Sequence, residues 1–99
     1  MAIRHVITIQ VAPGRAADFA NAFKVVQAIA SQDEGCEQYE LFQSLDAPDK
    51  LVLLERWANQ EMLAKHMEAE QSRDHEPIDA LMALTAPGSS PRIERFEAD

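Results

Sequence analysis

The sequence predicts an α+β domain whose helices cover one face of a four-stranded antiparallel sheet. Three observations predict it. The apolar residues switch between strict alternation and helical spacing in the order strand, helix, strand, strand, helix, strand. A short polar loop separates the two middle strands, as in a hairpin. The length, 99 residues, is that of one domain, read here as spanning residues 1–99.

In the first strand Ile3, His5, Ile7, Ile9 and Val11 share a face, with Arg4, Thr8 and Gln10 opposite. Ala12-Pro13-Gly14 ends it, because proline cannot donate to a ladder and glycine permits the turn. From Arg15 to about Ser31 the period becomes helical, with Phe19, Ala22, Phe23, Val26, Ile29 and Ala30 on one stripe. Asp33-Glu34-Gly35 breaks that helix. Glu37 to Ser44 alternates again, Tyr39 and Leu41 on one face, Glu40 and Phe42 on the other. The polar turn over residues 45–50 leads into Leu51 to Trp57, a strand rich in leucine and valine.

Asn59 is a good cap for a second helix, whose stripe is Met62, Leu63, His66 and Met67. The polar stretch from Gln71 to Glu76 interrupts it. Pro77 suits the first turn of a continuation, with Ile78, Leu81, Met82 and Thr85 as its stripe. A loop from Ala86 to Pro91 precedes a last short strand, Arg92 to Glu97. With right-handed crossovers this βαββαβ order is ferredoxin-like, and both helical segments fall on one side of the sheet. The other side carries Val6, Val52 and Leu54 with no helix left to cover them. A second copy of the chain is the simplest cover, so a homodimer is expected.

The net charge is −8, from 17 acidic and 9 basic side chains. Such a surface repels phosphate backbones and anionic lipid, which argues against nucleic acid or membrane as a partner. No apolar run approaches the roughly 20 residues that span a bilayer. The N-terminus enters a strand pattern directly, without the basic and apolar segments of a signal peptide. One cysteine, Cys36, cannot form an internal disulfide, and a cytoplasmic location is expected.

Val11-Ala12-Pro13-Gly14 before the first helix, Glu34-Gly35-Cys36-Glu37-Gln38-Tyr39 entering the second strand, Glu55-Arg56-Trp57 ending the third and His66 nine residues on together resemble the antibiotic biosynthesis monooxygenase (ABM) family. The likeness runs over nearly the whole chain. It implies dimers whose sheets pack as an α+β barrel, with a substrate cavity between each sheet and its own helices. Several members oxidise anthrone-like or quinol-like phenols with molecular oxygen and neither metal nor flavin. Relatives degrade haem or isomerise small sugar-derived signals, so the resemblance speaks to fold more than to reaction. In the haem-degrading relatives an asparagine on strand one and a tryptophan on the second helix matter. Here the corresponding positions are Ile7 and His66, and the ligating histidine would fall near His75 or Glu76.

His66 is the leading candidate for chemistry, either as a base facing the cavity or as a core histidine satisfied by one hydrogen bond. His5, on the apolar face of strand one, looks toward the same cavity or sits half solvated at an edge. Trp57 and Tyr39 offer flat aromatic surface to a planar substrate, or anchor the core. Met62 and Leu63 line the helix side. Glu55 shares the Trp57 face and, if buried, needs a partner such as Arg4, Arg56 or Arg95. His66 and Glu70 are four apart on one helix, but no clustered-ligand motif supports a metal site, so neither metal nor other cofactor is expected. Cys36, flanked by Glu34 and Glu37, reads as a small buried residue rather than a nucleophile.

These readings predict a cofactor-independent monooxygenase acting on a small phenolic, quinol or anthrone-like substrate. The alternatives are a non-enzymatic domain that holds a small apolar or aromatic ligand, and an isomerase using the same base.

Overall fold

The computed structural model describes residues 1–98; Asp99 lies outside them. The elements run β1 (Ala2–Gln10), α1 (Ala16–Ala30), β2 (Cys36–Gln43), β3 (Lys50–Trp57), α2 (Gln60–Ser72), α3 (Glu76–Met82) and β4 (Arg92–Ala98). The sheet order is β2-β3-β1-β4 with antiparallel neighbours throughout, the ferredoxin-like arrangement expected of the sequence. Each element falls within about a residue of its expected place except α3, whose expected stripe ran to Thr85: the helix ends at Met82, and Thr85 instead bridges to Val11.

Alternation decides which side chains meet the helices. Ile3, Ile9, Leu51, Leu53, Trp57 and Tyr39 point to the helical side and pack with Phe19, Phe23, Val26 and Ala30 of α1, Leu63 of α2 and Leu81 of α3. Trp57, Phe19 and Val11 are the largest fully buried side chains, and burying one side chain of this kind stabilises by roughly 1.5–3 kcal/mol. Ile29 and Met82, placed by the sequence on inward stripes, lie at the margins and stay more than a third exposed.

The interrupted helix resolves into two. Asn59 caps α2 through its side chain, which accepts from the Met62 N–H at 2.9 Å. At the far end Arg73 is extended and Pro77 sits in the first turn of α3. On the opposite side of the sheet no element of the described residues packs over Val6, Val52 and Leu54.

Candidate functional site

Register aligns one polar row on the helical side of the sheet. Tyr39 faces Glu55, Glu55 faces His5, and His5 faces Arg95 across four strands. Above this row lies α2, and its spacing brings His66, Glu70 and Arg73 to one face at i, i+4 and i+7. Asp33 reaches the same place from the connection between α1 and β2.

His66 is the centre of the cluster. It is 4% exposed, and its ring lies on that of Trp57 with centroids 4.2 Å apart and planes 27° from parallel. Tyr39 meets the ring edge-on at 6.2 Å and stacks in turn on Phe23 at 5.7 Å. Nδ1 is 2.7 Å from Asp33 Oδ2, and Nε2 is 3.3 Å from Glu70 Oε1. Arg73 holds the other oxygen of Asp33. Burial opposes the ionised form of Asp33, but hydrogen bonds from Arg73 and His66 outweigh it and lower its pKa. An ionised carboxylate only accepts, so the proton at that contact sits on Nδ1 of His66. Burial likewise opposes a charged His66, yet its bonds to Glu70 and Asp33 and the nearby Glu55 raise its pKa above the ordinary 6.5.

Glu55 is 5% exposed and accepts from the Trp57 indole Nε1–H at 2.8 Å. Burial pushes its carboxyl above the usual range, against the pull of that bond and of His66. The partner expected among Arg4, Arg56 and Arg95 is therefore replaced by Trp57. Arg4 and Arg56 lie on the far face of the sheet, donating to Gln38 and Glu37, while Arg95 donates to Gln60. Burial first, then Arg95 and His66, lower the pKa of His5 and keep its ring neutral near neutral pH.

Between α2 and the sheet opens a cleft of about 130 Å³, lined by His5, Ile7, Glu55, Leu63, His66, Met67, Glu70 and Ile93. Its floor is ionisable and its mouth apolar, since Met67 and Ile93 are half exposed or more. A larger groove, about 200 Å³ beside α1 and β2, carries no ionisable side chain. Two further grooves, of about 260 Å³ beside Glu70 and His75 and about 250 Å³ beside Asp74 and Glu76, are ionisable as well. The smaller cleft is the one that brings His66, His5 and the buried Glu55 together.

Of the residues singled out in the sequence, His66, His5, Leu63, Glu55 and Glu70 line this cleft. Tyr39 and Trp57 lie beneath it, Trp57 with no exposed surface and its face taken by His66. Met62 packs against Gly35 instead. The sequence reading missed Asp33, taken only as a helix breaker, and Arg73; the i, i+4, i+7 spacing of His66, Glu70 and Arg73 was the signal available for the latter. Cys36 is partly buried, and burial with the charges of Glu55 and Asp33 raises its pKa, unlike an activated thiol. Among the described residues no three His, Cys, Asp or Glu side chains converge as metal ligands.

The family model for antibiotic biosynthesis monooxygenase matches residues 2–77, which takes in His5, Asp33, Glu55, Trp57, His66, Glu70 and Arg73. The chain belongs to this family. A conserved protein from Methanosarcina mazei Go1 has the same fold, with a TM-score of 0.83 and 28% identity over 100% of this chain and 94% of that one. A conserved protein of unknown function from Bacteroides thetaiotaomicron VPI-5482, described as a possible oxidoreductase, superposes with a TM-score of 0.80 at 25% identity, covering 98% and 97%. SnoaB from Streptomyces nogalater, a cofactor-independent oxygenase solved as a single-site variant, gives 0.80 at 18% identity over 98% and 92%, a likeness of fold. No curated protein sequence matches the chain. No helix of the described residues is long and apolar enough to cross a membrane.

Proposed function

We propose that this protein is a cofactor-independent monooxygenase of small phenolic, quinol or anthrone-like substrates, with His66 as the base. The observation that carries the reading is the placement of His66 on the wall of an apolar-mouthed cleft, bonded to Asp33 through Nδ1 while Nε2 meets Glu70 of the same cleft at 3.3 Å. Once Nε2 has lost its proton it can take one from an acidic C–H or O–H of the substrate. The resulting anion is electron-rich enough to react with oxygen directly. For a methylene carbon acid, one oxygen atom enters as the carbonyl and the other leaves in water. His5 and Leu63 line the substrate's path, whereas Trp57 and Tyr39 act from below, fixing the plane of the imidazole. Family membership and the fold shared with SnoaB support this reading.

The working form is a homodimer, supported by the uncovered sheet face, and a cytoplasmic location fits the single unpaired cysteine. One observation favours a second reading, a domain that binds a small aromatic ligand without turnover: Glu70 already occupies Nε2. Oxygen uptake with a panel of quinols and anthrones separates the two. The parent is expected to consume oxygen, and His66→Gln, which cannot take up a proton near neutral pH, to lose about 10²–10⁴ in rate. Thermal stabilisation by the same compounds without oxygen uptake would establish the second reading.

A further inference from the structure

We propose that Asp33 is the positioning residue of this site: its carboxylate fixes which edge of the His66 ring faces the cleft and keeps the proton on Nδ1. The inference rests on the reading of Nε2 as the reactive atom. Stacking on Trp57 and the edge contact with Tyr39 set the plane of the imidazole, but neither distinguishes one ring edge from the other. A half-turn about the Cβ–Cγ bond would exchange Nδ1 with Cδ2 and Nε2 with Cε1 at almost no cost in stacking. Only directional partners forbid it, and the shorter is Asp33 at 2.7 Å, against 3.3 Å for Glu70.

Asp33 is itself held. Arg73 takes its second oxygen, so the carboxylate cannot rotate away, and the carboxylate is only 14% exposed. A residue that merely ended α1 would need neither the burial nor two cationic partners, since desolvating a carboxylate is costly unless each oxygen is answered. The arrangement spans two elements far apart in sequence, the α1–β2 connection and the face of α2, and meets only in the fold. Other charged and titratable groups face the ring as well: Glu70 from α2, Glu55 from β3, His5 from β1 with Arg95 of β4 behind it, and Tyr39 from β2. Each acts on charge or plane, and Asp33 acts on the identity of the nitrogen.

The test is nitrogen-15 NMR of the histidine side chains, which reads the tautomer and titration of His66 without any substrate. In the parent the neutral ring is expected to carry its proton on Nδ1. Asp33→Ala should lose that preference, and Asp33→Asn, nearly isosteric and so the safer fold, should move the titration of His66 to lower pH. An unchanged tautomer in Asp33→Ala, or an unchanged titration in Asp33→Asn, overturns the proposal. In the oxygen assay Asp33→Ala should lower kcat by about tenfold or more with KM little changed. A parent with no oxygen uptake on any compound sinks the oxygenase reading alone, because the NMR result still decides the role of Asp33.

Discussion

His66 lies between two carboxylates, and its charge state follows from that placement. Its raised pKa means that near neutral pH part of the protein still carries a proton on Nε2, where a base must have none. Turnover should therefore climb with pH, its acid limb centred above the ordinary histidine value of 6.5. Glu70→Gln removes one of the three anions that favour the charged ring, so the limb should move to lower pH and neutral-pH activity should rise up to severalfold. The measurement is kcat/KM from pH 5 to 9 for both proteins, and a limb that stays in place would show that Glu70 does not set the charge of His66. His66 was legible in the sequence because a polar residue on an apolar helical stripe stands out. Asp33 was not, since a charged residue after a helix reads as a stop signal. Its partner lies 33 positions away, a contact that periodicity does not encode.

Apart from the end of α3, which stops at Met82 rather than running to Thr85, the elements are legible to within about a residue because each carries its own period and its own punctuation. What periodicity could not convey is how closely they approach. Gly35 was read as part of a break, yet it is where the α1–β2 connection passes beneath α2. Its φ is +83°, and a Cβ at this position would run into the Cβ and Cγ of Met62. Its carbonyl accepts from the Ala58 N–H at 2.8 Å, which pins the connection to the end of β3 as well. The connection therefore holds Asp33 at a fixed depth under His66. Gly35→Ala combines left-handed strain with an overlap against an atom at the root of a side chain. It should destabilise the fold by about 2–4 kcal/mol, read as a lower urea midpoint at unchanged slope. A loss below about 1 kcal/mol would mean that α2 moves aside at little cost, and that the site is looser than its geometry implies.

At the scale of the molecule, the same alternation that fills the core leaves a second face on the sheet. Val6, Val52 and Leu54 form its centre, aligned across β1 and β3 by register, and Phe42 and Phe96 flank them at 46% and 49% exposed. Arg4 and Arg56 face each other on this side, and Glu40 and Glu94 also lie on it, so an apolar centre is rimmed by charges of both signs. That is the anatomy of an interface, which usually has a desolvated middle and a polar rim. The homodimer was inferred from sequence by counting faces and layers, and the exposed phenylalanines now enlarge the patch. Leu54→Glu would set two like charges near the centre of a two-fold interface, where desolvation and repulsion cost several kcal/mol. Sedimentation equilibrium at micromolar concentration should give twice the chain mass for the parent and the single chain mass for Leu54→Glu. The control is Leu45→Glu in the β2–β3 turn, where the leucine is 99% exposed; this variant should remain dimeric. A parent that sediments as a monomer would remove the dimer from the proposal. It would also leave the apolar patch in need of a different partner, because contiguous exposed apolar patches commonly mark interaction sites.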